Sequence, residues 1–225
     1  MKARQMFLWM FLWALFALYP NPANLAISLY RLYEPDIDPE AVQMLSANSE
    51  SDPAKVKTVV EKMPYEHDWQ VYGMPWYFPT VKEVLEKGRG DCKAQAILLA
   101  SILQNKAIES FINYSLTHMW VDYQDKPETI AENADRAVLQ VYYSPSPQLS
   151  SSSEKSNGEN NAKKSAQVQI PAKIGGDQLA AMKDGLWDAM PVSRKILLFG
   201  GLAVLVFLRL AVFIGEKKRK KPLGV

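Results

Sequence analysis

Reactive side chains are scarce in this chain: 225 residues contain one cysteine and two histidines. A single cysteine excludes an internal disulfide, and with only two histidines there are too few ligands for a Cys/His zinc cage. No clustered acidic loop resembles a calcium site either, so no metal or cofactor is expected. Excess charge is missing as well. Twenty-six basic residues face 24 acidic ones, a formal net charge of +2, which makes no case for nucleic-acid binding. No internal repeat is visible. The length suits one domain of ordinary size with appendages.

The appendages are apolar. Ile196 to Ile214 is a run of 19 residues, apolar or glycine except for Arg209, and it precedes five consecutive basic residues, Lys217 to Lys221. As a helix it would extend roughly 28 Å, close to the hydrocarbon thickness of a bilayer. Arg209 lies near enough to the end to snorkel toward headgroups. The basic tail places 215–225 in the cytoplasm by the positive-inside tendency. At the other end, Lys2 and Arg4 precede 14 uncharged residues, Met6 to Tyr19. That length suits a signal-peptide core, but no small-x-small cleavage site is evident, so 1–33 reads as a signal anchor in preference to a cleaved signal peptide. Both ends then agree on a membrane-embedded protein whose domain is extracytoplasmic, with both termini cytoplasmic if the anchor is retained.

Between these ends composition shifts twice. Residues 34–143 mix apolar and charged side chains as a folded domain does. Residues 144–176 carry Pro145, Pro147, the serine run Ser150 to Ser153 and Asn160-Asn161, and read as a flexible linker. The juxtamembrane stretch 177–195 is either more linker or a surface helix anchored by Leu186 and Trp187. Within the domain, Pro53, Val56, Val59, Val60 and Met63 have helical spacing. Thr80 caps a short helix that Gly88 ends. The helix after Cys92 is apolar on most sides, as a buried central helix would be. Phe111 to Leu116 and His118 to Tyr123 read as adjacent strands, with a hairpin after Tyr123 leading to strands at Thr129 to Asn133 and Val138 to Tyr143. Helices first and strands afterwards give an α+β class.

Gly88-Arg-Gly-Asp-Cys92 puts the one cysteine where a glycine-rich turn becomes an apolar helix. A helix start presents free N–H groups and partial positive charge, which favour thiolate over thiol. His118 opens the alternating run His118-Met-Trp-Val-Asp-Tyr123. Cysteine on a helix start and histidine on a strand are what a thiol nucleophile and its base require. Taken alone, a cysteine in an apolar helix is more often structural; the histidine motif tips the reading toward catalysis.

The combination Tyr65-Glu-His-Asp-Trp69, Pro79 to Leu85, Gly88-Arg-Gly-Asp-Cys92 and His118-Met-Trp120 resembles the transglutaminase-like superfamily, which is papain-like in fold and includes bacterial cysteine peptidases. The resemblance spans Val56 to Asn133. It implies that Cys92 on a central helix packs against a small antiparallel sheet, that His118 is its base, and that an acidic residue on the neighbouring strand is the third member. Glu132 ranks first for that place. Asn133 is second, similar to the papain solution, and Asp122 is third, because alternation sets it about 7 Å along the strand from His118. Lys93 departs from the family pattern, in which an acidic residue often follows the cysteine, and is expected to point to solvent. His67 is expected in a solvated loop. Trp120 would shield the Cys–His pair, and Trp76 or Tyr77 would line the acyl pocket.

The expected function is a membrane-anchored thiol enzyme acting on protein or peptide amide bonds through a Cys92 thioester. Hydrolysis, as by a cysteine peptidase or amidase, comes first. Acyl transfer to an amine, as by a cross-linking transglutaminase, and a non-catalytic binding or scaffold domain of the same fold are the alternatives. Substrate identity and oligomeric state have no signal in the sequence.

Overall fold

Helical spacing and strand alternation separate along the chain, and the architecture follows that separation. The computed structural model describes residues 3–115, 117–132, 137–143, 164–168 and 176–219. Seven helices come first: α1 (Ala3–Leu18), α2 (Pro22–Tyr33), α3 (Gln43–Ala47), α4 (Pro53–Val60), α5 (Asp68–Val71), α6 (Val81–Lys87) and α7 (Cys92–Asn105). Strands β1 (Ser110–Tyr114), β2 (Met119–Tyr123), β3 (Leu139–Tyr143) and β4 (Lys164–Val168) follow. Then come α8 (Gly176–Lys183), a π-helical turn over Asp184–Asp188, and α9 (Val192–Arg219). The class is α+β.

α7 is the axis of the core. Its sequence is apolar around most of its circumference, so only enclosure suits it, and α3, α4, α6, β1 and β2 all pack on it. Local signals fix the helices that surround it. Asp52 caps α4 by accepting the Ala54 N–H at 2.9 Å, with Pro53 at the first helical position. Thr80 and Glu83 form a reciprocal capping box on α6, which ends at Gly88 in the left-handed region (φ 62°).

The sheet is antiparallel throughout, in the order β2-β1-β3-β4. Ile112 of β1 lies opposite both Val121 of β2 and Val141 of β3, and this buried row belongs to the core around α7. The hairpin expected after Tyr123 does not form. β3 instead pairs on the far side of β1, and Thr129 to Glu132 lies in the connecting loop. That segment has no inward face with which to join a sheet: Ile130, its one large apolar residue, is 84 % exposed. Asn133 lies outside the described residues. Of the expected linker 144–176, Lys164–Val168 forms β4 along β3, and apart from Gly176 at the start of α8 the rest lies outside the described residues.

The N-terminal boundary also differs from expectation. α2, assigned to the anchor, packs onto the domain. Phe78 N–H donates to Ser28 Oγ at 3.3 Å, Arg31 Nη1 donates to Phe78 O at 2.8 Å, and Leu32 packs against the core. α1 lies beside α9, where Trp13 Nε1 donates to Leu197 O at 3.2 Å and the Trp13 ring fills the space beside Gly201. In α9, Val192–Val212 is long and apolar enough to cross a membrane, and none of it is buried within the protein. The span starts four residues earlier than the run read from sequence.

Candidate functional site

Gly90 has no room for a side chain, because a Cβ there would stand 2.4 Å from Ala94 Cβ. The turn before Cys92 is pressed this tightly onto α7 by two backbone hydrogen bonds. Gly90 N–H donates to Pro64 O at 3.1 Å, and Glu66 N–H donates to Gly90 O at 3.0 Å. Tyr65 and Gly90 are thereby bridged like neighbours in a parallel sheet. Asp91 caps α7, accepting the Lys93 N–H at 2.9 Å. Cys92 is thus the first residue of the helix, buried and facing a cavity of about 690 Å³.

His118 precedes β2 in the turn after β1. Its N–H donates to Ser115 Oγ at 3.0 Å, and its ring lines the cavity together with Cys92, near enough for the thiol to bear on its charge. Trp120 lies nearly parallel to that ring, 14° between planes and 5.9 Å between centres. On the other side, His118 Nε2 meets Glu132 Oε1 at 3.3 Å. Glu132 sits in the β2–β3 loop, its own N–H donating to Thr129 Oγ1 at 3.0 Å, and it accepts Lys57 Nζ and Lys126 Nζ, each at 2.9 Å. The structure therefore brings three expected residues, Cys92, His118 and Glu132, into one chain of contacts.

Electrostatics agree with that chain. Burial is the largest influence on His118 and lowers its pKa. The neighbouring Cys92 and Glu132 together more than reverse it, raising the imidazole to about 9. Burial would raise the Glu132 carboxyl, but His118 and the two lysines hold it well below the usual range. Glu132 stays ionised and His118 is cationic at neutral pH.

Asp122, ranked third, is bonded to other partners than His118. It accepts Asn113 Nδ2 at 2.5 Å, Trp120 Nε1 at 3.2 Å and Lys126 Nζ at 2.7 Å. It thus holds the indole beside His118 and the lysine beside Glu132. Of the alternatives Trp76 and Tyr77 the pocket contains one, and Trp120, the expected shield, lies against the His118 ring. Trp76 lines the cavity, whereas Trp120 and Tyr77 are buried and do not. Tyr77 is turned away by its bonds to Glu83 and Arg31.

Sequence reasoning missed the charged floor of the site. Lys93 does not reach solvent. Its Nζ pairs with Asp91 and, at 2.9 Å, with Asp68 Oδ2, and it lies over the Phe78 ring. Burial alone would lower the Lys93 pKa, but its two carboxylate partners raise it well above the ordinary value, so it stays charged. Asp68 also accepts the Tyr77 N–H at 2.8 Å, and burial raises its carboxyl to about 7 against the opposing pull of Lys93. The available signal was the juxtaposition of Asp91 and Lys93 in an otherwise apolar helix start: a lysine there has no exposed face. His67 lines the cavity beside Tyr65 instead of standing in a solvated loop. Leu186 also lines the cavity, and its carbonyl accepts Trp69 Nε1 at 3.0 Å. Among the described residues no group of three or more His, Cys, Asp or Glu side chains is placed to hold a metal ion.

No protein-family model matches this chain, and no curated protein matches it.

Removing one member of a buried ion group leaves the others uncompensated. Lys93→Met is therefore expected to lower the unfolding free energy by about 3–5 kcal/mol, read from urea denaturation of the full chain in detergent micelles. A second expectation follows from His118. Because its pKa is raised from 6.5 to about 9 in the folded protein, its charge contributes stability that is fully present below pH 6.5 and lost as pH rises through 9. Denaturation midpoints measured from pH 6 to 10 should fall across that window in the wild type, and His118→Ala should remove that part of the fall.

Proposed function

We propose that the chain is a membrane-anchored thiol hydrolase of the transglutaminase-like type, with a papain-like core, that cleaves amide bonds in proteins or peptides. The observation that carries the reading is the contact chain from Cys92 through His118 to Glu132. Nucleophile, base and orienting carboxylate come from a helix start, a strand entrance and a loop that are far apart in sequence.

In the reaction, Cys92 Sγ attacks the amide carbonyl carbon and a C–S bond forms. Negative charge on the carbonyl oxygen is met by the Cys92 backbone N–H at the helix start. The C–N bond then breaks as the His118 imidazolium gives its proton to the departing amine. Water next attacks the thioester carbon while the neutral imidazole takes its proton. The C–S bond breaks, releasing the acid and restoring the pair. Glu132 keeps the ring oriented throughout and stabilises its cationic form, as the acid of a triad does. Lys57 and Lys126 prevent Glu132 from competing for the proton. Trp120 covers one face of the imidazole and limits water at the pair.

The anchoring part of the proposal rests on α9 and on the packing of α1 against it. Basic residues flank both apolar segments on the side away from the domain, Lys2 and Arg4 at one end and Lys217 to Lys221 at the other. That pattern supports cytoplasmic termini and an extracytoplasmic domain. The integration of α2 into the domain supports retention of the N-terminal segment, because cleavage after it would remove Ser28, Arg31 and Leu32 from their partners.

The test is hydrolysis of a fluorogenic peptide-amide library by the full chain in detergent micelles. Cys92→Ala should abolish turnover. Glu132→Gln should lower kcat by about 10²–10⁴-fold, with KM little changed. Adding a primary amine separates the chemistry of the second step: free acid supports hydrolysis, and an amine adduct would make the enzyme a transferase. Turnover that survives Cys92→Ala would refute the reading.

A further inference from the structure

The outward face of α2 is apolar; on it Tyr30 Oη donates to Glu34 Oε2 at 2.6 Å, just past the helix end. Ala23, Ala26, Ile27, Tyr30 and Tyr33 share that face and are exposed, with Leu29 beside them. The only charge on the helix, Arg31, is turned inward to Phe78 O and Glu83. Leaving such a stripe in water is costly, about 25 cal/mol per Å². Its occupant is identified by what the helix is joined to. α1 runs beside α9, and the α1–α2 pair is bent by 78° at Tyr19 to Asn21. With α1 and α9 in a bilayer, α2 lies nearly in the plane of the surface. Its apolar, tyrosine-bearing face, with the Glu34 carboxylate at its end, is then toward the headgroup and acyl boundary, where such helices and tyrosines partition.

The cavity of the thiol site lies between this helix and the entrance to α9. Leu32 and Tyr33, at the end of α2, form one wall. Met182, Gly185 and Leu186, from the segment that leads into α9, form another. The exposed members of the lining mark the mouth: Tyr33, Tyr65, Ala181, Met182, Asp184 and Leu186, five of which belong to α2 or to the segment that leads into α9. Trp187 lies edge-on to Phe199 near the start of α9, with Lys195 Nζ 5.1 Å from its ring centre. A tryptophan and a lysine at that position suit the same interface level. Ser115, Thr117 and Asp184 interrupt the apolar lining, which matches a peptide backbone carrying apolar side chains and not an alkyl chain.

We propose that the Cys92 cavity opens at the bilayer surface and takes the juxtamembrane segment of a membrane-anchored polypeptide as its amide substrate. This rests on the thiol-hydrolase reading and on the membrane placement of α1 and α9.

The experiment uses the full chain in phosphatidylcholine–phosphatidylglycerol vesicles with two fluorogenic peptides of one sequence. One is soluble; the other carries an acyl anchor two residues from the scissile amide, so that only a site at the surface can reach it. The anchored peptide should be cleaved with at least a tenfold higher kcat/KM. The paired substitution Ile27→Lys and Tyr30→Lys, outside the cavity, should remove that advantage while the soluble peptide is cleaved at the wild-type rate. Equal rates, or cleavage of the soluble peptide alone, overturn the inference and leave the thiol chemistry standing. Failure to cleave either peptide also overturns it. Labelling of Cys92 by iodoacetamide at pH 6 in the same vesicles then separates the two failures: a reactive thiol keeps the hydrolase reading, and an inert one removes it as well.

Discussion

The buried ammonium of Lys93 joins the two parts of the chain on which the site is built. It sits in the first turn of α7 and reaches Asp91, which caps that turn, and Asp68, which heads α5 in the aromatic loop. Asp68 in turn holds the Tyr77 N–H. One cation therefore fixes the Cys92 helix start against the loop whose residues Tyr65, His67 and Trp76 line the cavity. Its cost is desolvation, which is offset only while both carboxylates remain. The close approach of Gly90 to Ala94 acts in the same direction, seating the turn before Cys92 on α7. Placing a thiol at a helix start needs this rigidity, because a near-attack geometry tolerates displacements of well under an ångström or so.

A second constraint holds His118. Glu132 belongs to a loop, so its position depends on neighbours more than on backbone pairing. Lys57 from α4 and Lys126 from the same loop hold it against His118, and Asp122 shares Lys126. The charges alternate in sign from His118 to Glu132 to Lys126 to Asp122, and Asp122 returns to the starting point through Trp120, which lies on the imidazole. Such a ring keeps the imidazole oriented while its protonation changes, which is what a base that becomes an acid must do.

Local rules made much of this legible in the sequence. The Thr80 cap, the Gly88 stop and the apolar run after Cys92 each follow from chemistry within a few residues, and each is found where it was expected. Cys92 and His118 were legible because they are rare and sit at an element start and a strand entrance. The approach of Glu132 to His118 is legible only from its place in order along the chain, because its setting is a loop and not a strand. Other features depend on distant partners. The order β2-β1-β3 follows from burying Ile112 between Val121 and Val141, and short strands close in sequence look like consecutive hairpins regardless of that. Lys93 reads as a surface residue until Asp68, 25 positions earlier, is seen beside it. α2 reads as part of an apolar leader because Ser28 and Arg31 carry no local sign of their bonds to the Phe78 backbone. β4 lies within polar sequence whose pairing is set by the free edge of β3.

The coupling between Cys92 and His118 is the point on which the chemistry stands or falls, and the pH profile of Cys92 alkylation by iodoacetamide measures it directly, since the chain has no other thiol. In the full chain the reaction should proceed at pH 6, and in His118→Ala it should be confined to values above about pH 8, as for an ordinary thiol. Identical profiles in the two proteins, or a thiol inert in both at every pH, would contradict a functional Cys92–His118 pair.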